Sequence, residues 1–173
     1  MTDYLSLPLG DRAPDVVAAV IENPSRTRNK IEYDERLQVF RLDRTLLSPV
    51  VYPVEYGFFP STRGGDGDAL DVMVLAAEPL FPGCVLDVRP VACLELHDQA
   101  GEDTKVLAVV ADDPRFEAIQ DLDTVPASKR REIEEFYKTY AVLEGKKKRL
   151  RGWRKRAESL HLLRLAANRF LEG

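Results

Sequence analysis

The chain has 173 residues, 45% hydrophobic and 31% charged, a balance that suits a globular domain large enough to bury a core. A formal net charge of −4 gives no global reason to bind nucleic acid, and no apolar run approaches the roughly 20 residues that span a bilayer. The two cysteines, Cys84 and Cys93, sit in no ligand-like cluster, so they read as small buried hydrophobes in a reduced, cytoplasmic setting. The opening MTDYLSLPLGDRAPD lacks the charged head and long apolar stretch of a signal peptide, and residues 1–173 are expected to form a single domain.

From 29 to 110 the pattern is mostly that of strands. IEYDE alternates, with Ile31 and Tyr33 on one face and Lys30, Glu32 and Asp34 on the other. RLQVFRLDR follows as a second strand. VVYPVEYGFFP carries Pro53 and Pro60, which predicts a bent or edge segment. STRGGDGD is a turn by composition, and ALDVMVLAA, GCVLDVRPVACLEL and TKVLAVV read as strands. HDQAGED is expected as a polar loop between the last two, with His97 a loop residue and not a ligand. DDPRFEAIQ carries a helix-start signal, Asp before Pro. In PASKRREIEEFYKTY, Ile133, Phe136, Tyr137 and Tyr140 share a helical face, and Leu163, Ala166, Ala167 and Phe170 repeat that spacing in SLHLLRLAANRFL. Antiparallel strands followed by helices predict an α+β fold, with a closed barrel flanked by helices favoured over an open sheet.

The chemistry concentrates in GGDGDALDVMVL, residues 64–75, where Asp66, Asp68 and Asp71 crowd three like charges into six positions. Such a group must be solvated, paired with cations or bound to a metal. A calcium hand is excluded, because Leu70, Asp71 and Ala77 stand where that loop needs Asp or Asn, Gly and Glu. HDQAGEDTK adds Asp98, Glu102, Asp103 and Lys105, and a barrel could bring both loops to one rim. All-oxygen ligands favour Mg²⁺, with Mn²⁺ as a substitute, over zinc. Nearby stand the cations Lys30 and Arg44 and the hydroxyls of Tyr52 and Tyr56. No Walker loop, dinucleotide motif or serine elbow is present. Carboxylates, cations and hydroxyls together suit a metal-dependent phosphohydrolase acting through water. The run KKKRLRGWRKR at 146–156 has two readings, a solvated surface segment or an anion or nucleic-acid site.

The ordered segments LPLG, VIENP, RNKIEYD, LDRTLLSPVVYPVEYGFFPST, GDGDALDVMVL and HDQAGEDTK resemble the soluble, magnesium-dependent inorganic pyrophosphatases of bacteria, and a weaker EFYKTY…LEG…GW match extends the likeness to about Trp153. The resemblance implies a five-stranded, OB-like barrel with helices beside it and hydrolysis of pyrophosphate to two phosphates. It implies that Asp66, Asp71 and Asp103 hold the tightest metal, that Asp98 with Asp103 holds another, and Glu32 a further one. Asp68 would be the general base. Lys30, Arg44, Tyr56 and Tyr140 would grip phosphate, with Glu22, Tyr52 and Lys105 completing the pocket. It also implies a homohexamer. One departure stands out: Ala141 follows Tyr140 where the family usually carries a phosphate-binding lysine, and Lys146 to Lys148 are expected to stand in for it. Aligning on Tyr137 and Lys138 instead would restore the pair but misplace the following LEG.

Overall fold

The computed structural model describes residues 2–98 and 101–173. The first strand, β1 (Val17–Asn23), is a mixed Val and Ala run that composition alone does not mark as a strand. It pairs antiparallel with β4 (Glu55–Phe58), which pairs with β5 (Asp71–Leu75). β5 runs parallel to β7 (Gly101–Val110), and β7 pairs with the long β6 (Val85–Asp98). β6 returns to β1 and closes a ring of five strands. The β5–β7 pair runs parallel among the antiparallel strands that were expected, because β6 must cross before β7 comes alongside β5. A separate hairpin, β2 (Asn29–Asp34) and β3 (Val39–Thr45), stands beside the ring.

The segment expected as an edge is instead a wall of the ring. Pro53 and Pro60 lie outside β4, so no ladder hydrogen bond is lost. Gly57 is what lets β4 close on β1: a Cβ there would stand 1.8 Å from the Val20 carbonyl oxygen. Pro90 does lie inside β6, and the register slips beside it, between Pro90 and Ala92. The expected polar loop HDQAGED is mostly strand, since His97 and Asp98 end β6 and Glu102 and Asp103 lie in β7. Gln99 and Ala100 of that expectation lie outside the described residues.

Both faces of the ring are covered. Met73, Leu75, Leu107 and Val109 pack with Ile133, Phe136 and Tyr137 of α1 (Ala127–Thr139). Their alternate neighbours Val72, Val74, Val106 and Ala108 pack with Leu163 and Ala166 of α2 (Arg156–Glu172). Burial on both faces explains why VMVL and VLAVV read as unbroken apolar runs. Cys93 is buried in the second group; Cys84 packs against it half-buried, and both are free thiols. The helix expected from DDPRFEAIQ is a single 3₁₀ turn, Pro114–Phe116. Arg89 donates to the carbonyl oxygens of Ala111, Phe116 and Ile119, which holds this stretch to β6 as a strap rather than a helix.

Most of the basic run forms strand β8 (Arg149–Lys155), paired to β6 and followed directly by α2, with Lys146 to Lys148 just ahead of it. Its later cations are matched one by one: Arg154 to Glu95 at 2.7 Å, Lys155 to Asp123 at 2.5 Å, and Arg156 to Asp15 at 2.7 Å. Arg156 also donates to the Pro90 carbonyl oxygen, which ties the end of the run to β6. Among the described residues no helix is long and apolar enough to cross a membrane.

Candidate active site

The strand order brings distant acids and bases to one place. Asp66 and Asp68 lie in the turn after β4, Asp71 opens β5, and Asp98 and Asp103 end and begin the adjacent β6 and β7. Glu22 sits near the end of β1, and Lys30, Glu32 and Arg44 come from the hairpin. Tyr52 precedes β4, Tyr56 lies in it, and Tyr137 and Tyr140 close α1. All of these line one cleft of about 640 Å³, room for a small polyanion with its counter-ions.

The hairpin is aimed by β1. The Glu22 carboxylate accepts the Tyr33 N–H at 2.8 Å, and the Asn23 side-chain oxygen accepts the Ile31 N–H at 2.6 Å. Lys30 stands opposite Arg44, and the register slips immediately after, leaving Asp43 as an extra residue between pairs. That bulge turns Asp43 toward both cations: Lys30 Nζ lies 3.3 Å away, and Arg44 donates to the same carboxylate oxygen. Lys30 also donates to Glu32. Glu144 holds the other side of the Arg44 guanidinium at 2.6 Å. Asp43 and Glu144 were absent from the expected site; the two-versus-one count that exposes Asp43 belongs to strand pairing and leaves no mark in the sequence.

At the centre is Lys105. Its side chain is only 4% exposed, and its ammonium donates to Asp71 at 2.5 Å, Asp103 at 2.9 Å and the Tyr56 hydroxyl at 3.2 Å. Burial alone would push its pKa down, but Asp71, Tyr56, Tyr137 and Asp103 outweigh that and hold it well above the ordinary lysine value. The Asp103 carboxyl is held low for the same reason: burial would raise it, and Lys105 and Lys148 overcome that. Burial pushes the Tyr56 hydroxyl well above the usual phenol range, so it stays a neutral donor.

The acidic turn behaves differently. Asp66 and Asp68 are exposed, and neither has an ion-pair partner among the described residues. Gly67, with φ of +97°, takes the left-handed conformation that the turn needs, and Asp66 accepts the Asp68 N–H. Desolvation and then the charges of Asp66, Asp71 and Glu32 raise the Asp68 pKa, which suits a group that must accept a proton. Burial raises Glu22 to about 7, ahead of the smaller contributions of Asp71 and Glu32.

Ala141 is buried and presents no polar group, while Lys138 is exposed on α1 away from the cleft. Lys146 and Lys148 line the cleft, and Lys147 does not. Lys148 Nζ lies 2.5 Å from Asp103, 3.4 Å from Asp98 and 6.0 Å from the centre of the Tyr140 ring.

The donors available to a metal are all carboxylate oxygens, the chemistry of a hard divalent cation. Among the described residues no three such side chains converge into a finished cage. Instead the ammonium groups of Lys105 and Lys148 stand between Asp71, Asp98 and Asp103, marking where positive charge belongs. The donor set therefore fits such a cation.

A family profile described as inorganic pyrophosphatase matches residues 19–171. The inorganic pyrophosphatase of Thermus thermophilus is 46% identical over 173 residues, covering 98% of this chain and 99% of its own. That of Methanosarcina acetivorans is 46% identical over 157 residues, covering 91% and 94%. Among solved structures, the Thermus thermophilus inorganic pyrophosphatase superposes with a TM-score of 0.96 at 44% identity, covering 99% of this chain and all of that one.

Proposed function

The chain belongs to the inorganic pyrophosphatase family, and from that premise we propose that it hydrolyses inorganic pyrophosphate to two orthophosphates by in-line attack of water. The observation that carries this reading is the single cleft in which five oxygen-ligand carboxylates face two hairpin cations and a buried lysine. Asp66, Asp71, Asp98, Asp103 and Glu32 are the residues that would hold divalent cations. Mg²⁺, or Mn²⁺ with the same preference for oxygen, supplies when bound the positive charge that acidifies water and offsets the phosphate charge.

The remaining work falls to the chain. Asp68 accepts the proton of the attacking water; the new P–O bond forms as the bridging P–O bond breaks, and the second phosphate departs. Lys30 and Arg44 sit side by side on the hairpin to take the phosphate oxygens, with Asp43 and Glu144 fixing the Arg44 fork. Tyr56 and Tyr140 donate hydroxyls, and Lys105 holds the carboxylates at the fixed spacing that avoids reorganisation during the reaction. Lys146, on the cleft wall, takes the phosphate contact that Ala141 does not supply. Lys146→Ala is expected to raise the KM for pyrophosphate; an unchanged KM removes this role.

The reading includes residues 1–173 as one domain, a cytoplasmic setting and a homohexamer. Exposed Leu47, Phe81 and Leu143 supply apolar surface for assembly, and sedimentation would measure it. The decisive assay is phosphate release from pyrophosphate with Mg²⁺, with chelator, and in Asp68→Asn. Release that needs the cation and collapses in the variant supports the reading; no release by the wild-type protein with Mg²⁺ ends it.

A further inference from the structure

Asp103 offers two carboxylate oxygens, and each already accepts from an ammonium group. Lys105 Nζ lies 2.9 Å from Oδ1 and Lys148 Nζ lies 2.5 Å from Oδ2. A divalent cation held by either oxygen would crowd one of these ammonium groups. Like charges brought that close in a partly buried site repel strongly, which favours withdrawal of one lysine when a cation binds.

The two lysines are not equally free to do so. Lys105 lies mid-strand in β7, 4% exposed, with three hydrogen-bonded partners on Asp71, Asp103 and the Tyr56 hydroxyl and two tyrosine rings against it. Lys148 stands just ahead of β8, in the connection that follows the left-handed Gly145. Its ammonium contacts carboxylates alone, Asp103 and Asp98, with the Tyr140 ring at 6.0 Å. Its flexible stem reaches the cleft from that wall, so withdrawal needs only rotation about its own side-chain bonds.

We propose that Lys148 is a displaceable counter-cation, occupying the Asp98–Asp103 position until a divalent cation replaces it. This rests on the assignment of Asp98 and Asp103 as cation ligands. In the metal-free protein Lys148 keeps two neighbouring carboxylates from repelling each other, at the expense of cation affinity. It is a positioning residue, acting on the ligands rather than on the reacting atoms.

The test is Mn²⁺ binding to substrate-free protein by equilibrium dialysis, in wild type, Lys148→Met and Lys148→Arg. With the competitor gone, Lys148→Met is expected to bind Mn²⁺ about tenfold more tightly, the scale of one charge-assisted hydrogen bond. Lys148→Arg keeps the charge and is expected to stay within about twofold of wild type. Equal or weaker binding in Lys148→Met overturns the proposal, as does equal tightening in both variants. Failure of the hydrolase reading shows separately, as wild-type protein that binds Mn²⁺ yet releases no phosphate from pyrophosphate. The affinity comparison between variants stands in either case.

Discussion

Two stretches of this chain carry crowded charge of opposite sign, and the fold treats them in opposite ways. The end of the basic run is dispersed into pairs: Arg154, Lys155 and Arg156 each meet a carboxylate from a different part of the chain. The acidic turn is not dispersed. Asp66 and Asp68 remain exposed and without an ion-pair partner among the described residues, facing a cleft whose other wall is a lysine-bridged set of carboxylates. A charge run cancelled within the molecule has no demand left for a partner, whereas one left uncancelled inside a cleft does. That difference, more than the number of charges, separates a structural cluster from a site.

A substitution at Asp68 separates the two stretches most clearly. Asp68→Asn keeps the shape of the turn and removes the proposed proton acceptor, and phosphate release is expected to fall by about 10²- to 10⁴-fold. A loss under about threefold would mean that the turn is merely a solvated loop. Next is Lys105→Met, which leaves Asp71 and Asp103 without their buried cation. Urea unfolding of the metal-free variant should show a loss of about 3–5 kcal/mol. Added Mg²⁺ should recover part of it, because a cation then fills the same place.

Glu22 ties the same cleft to pH. Its carboxyl is raised from 4.5 to about 7, so between those values the folded metal-free protein holds a proton that the unfolded chain releases. Its contribution to stability is full below about 4.5 and is lost as pH rises toward 7, by up to about 3 kcal/mol. Glu22→Gln should flatten that slope in metal-free protein followed by thermal melts. An unchanged slope would place the titration elsewhere. The smallest effect belongs to the basic run. Lys155→Ala removes an exposed pair with Asp123 and should leave the urea midpoint and phosphate release essentially unchanged.

The residues that the resemblance proposes for the site all line one cleft: Lys30, Glu32, Arg44, Tyr56, Asp66, Asp68, Asp71, Asp98, Asp103, Lys105 and Tyr140. What stayed hidden were residues whose roles exist only across strand pairs. Asp43 looks like one polar residue among several in RLDRT until the register slip turns it onto Lys30 and Arg44. Glu144 lies 100 positions from the Arg44 it orients. β1 and β8 were not legible as strands, one because Val and Ala runs fit helix or strand alike, the other because its charges masked the alternation.

By itself the sequence determined the local features: the glycine-permitted acidic turn, the apolar strands, the two amphipathic helices and the inventory of oxygen ligands and cations. Those follow from backbone sterics and side-chain periodicity, which act over a few residues. Only the tertiary structure decided that β4 is a wall and not an edge, that β5 and β7 run parallel, and that Lys148 rather than Lys147 enters the cleft. These are outcomes of ring closure and of charge pairing between distant segments. Coulomb attraction and desolvation depend on distance in space, and a chain's order does not set that distance.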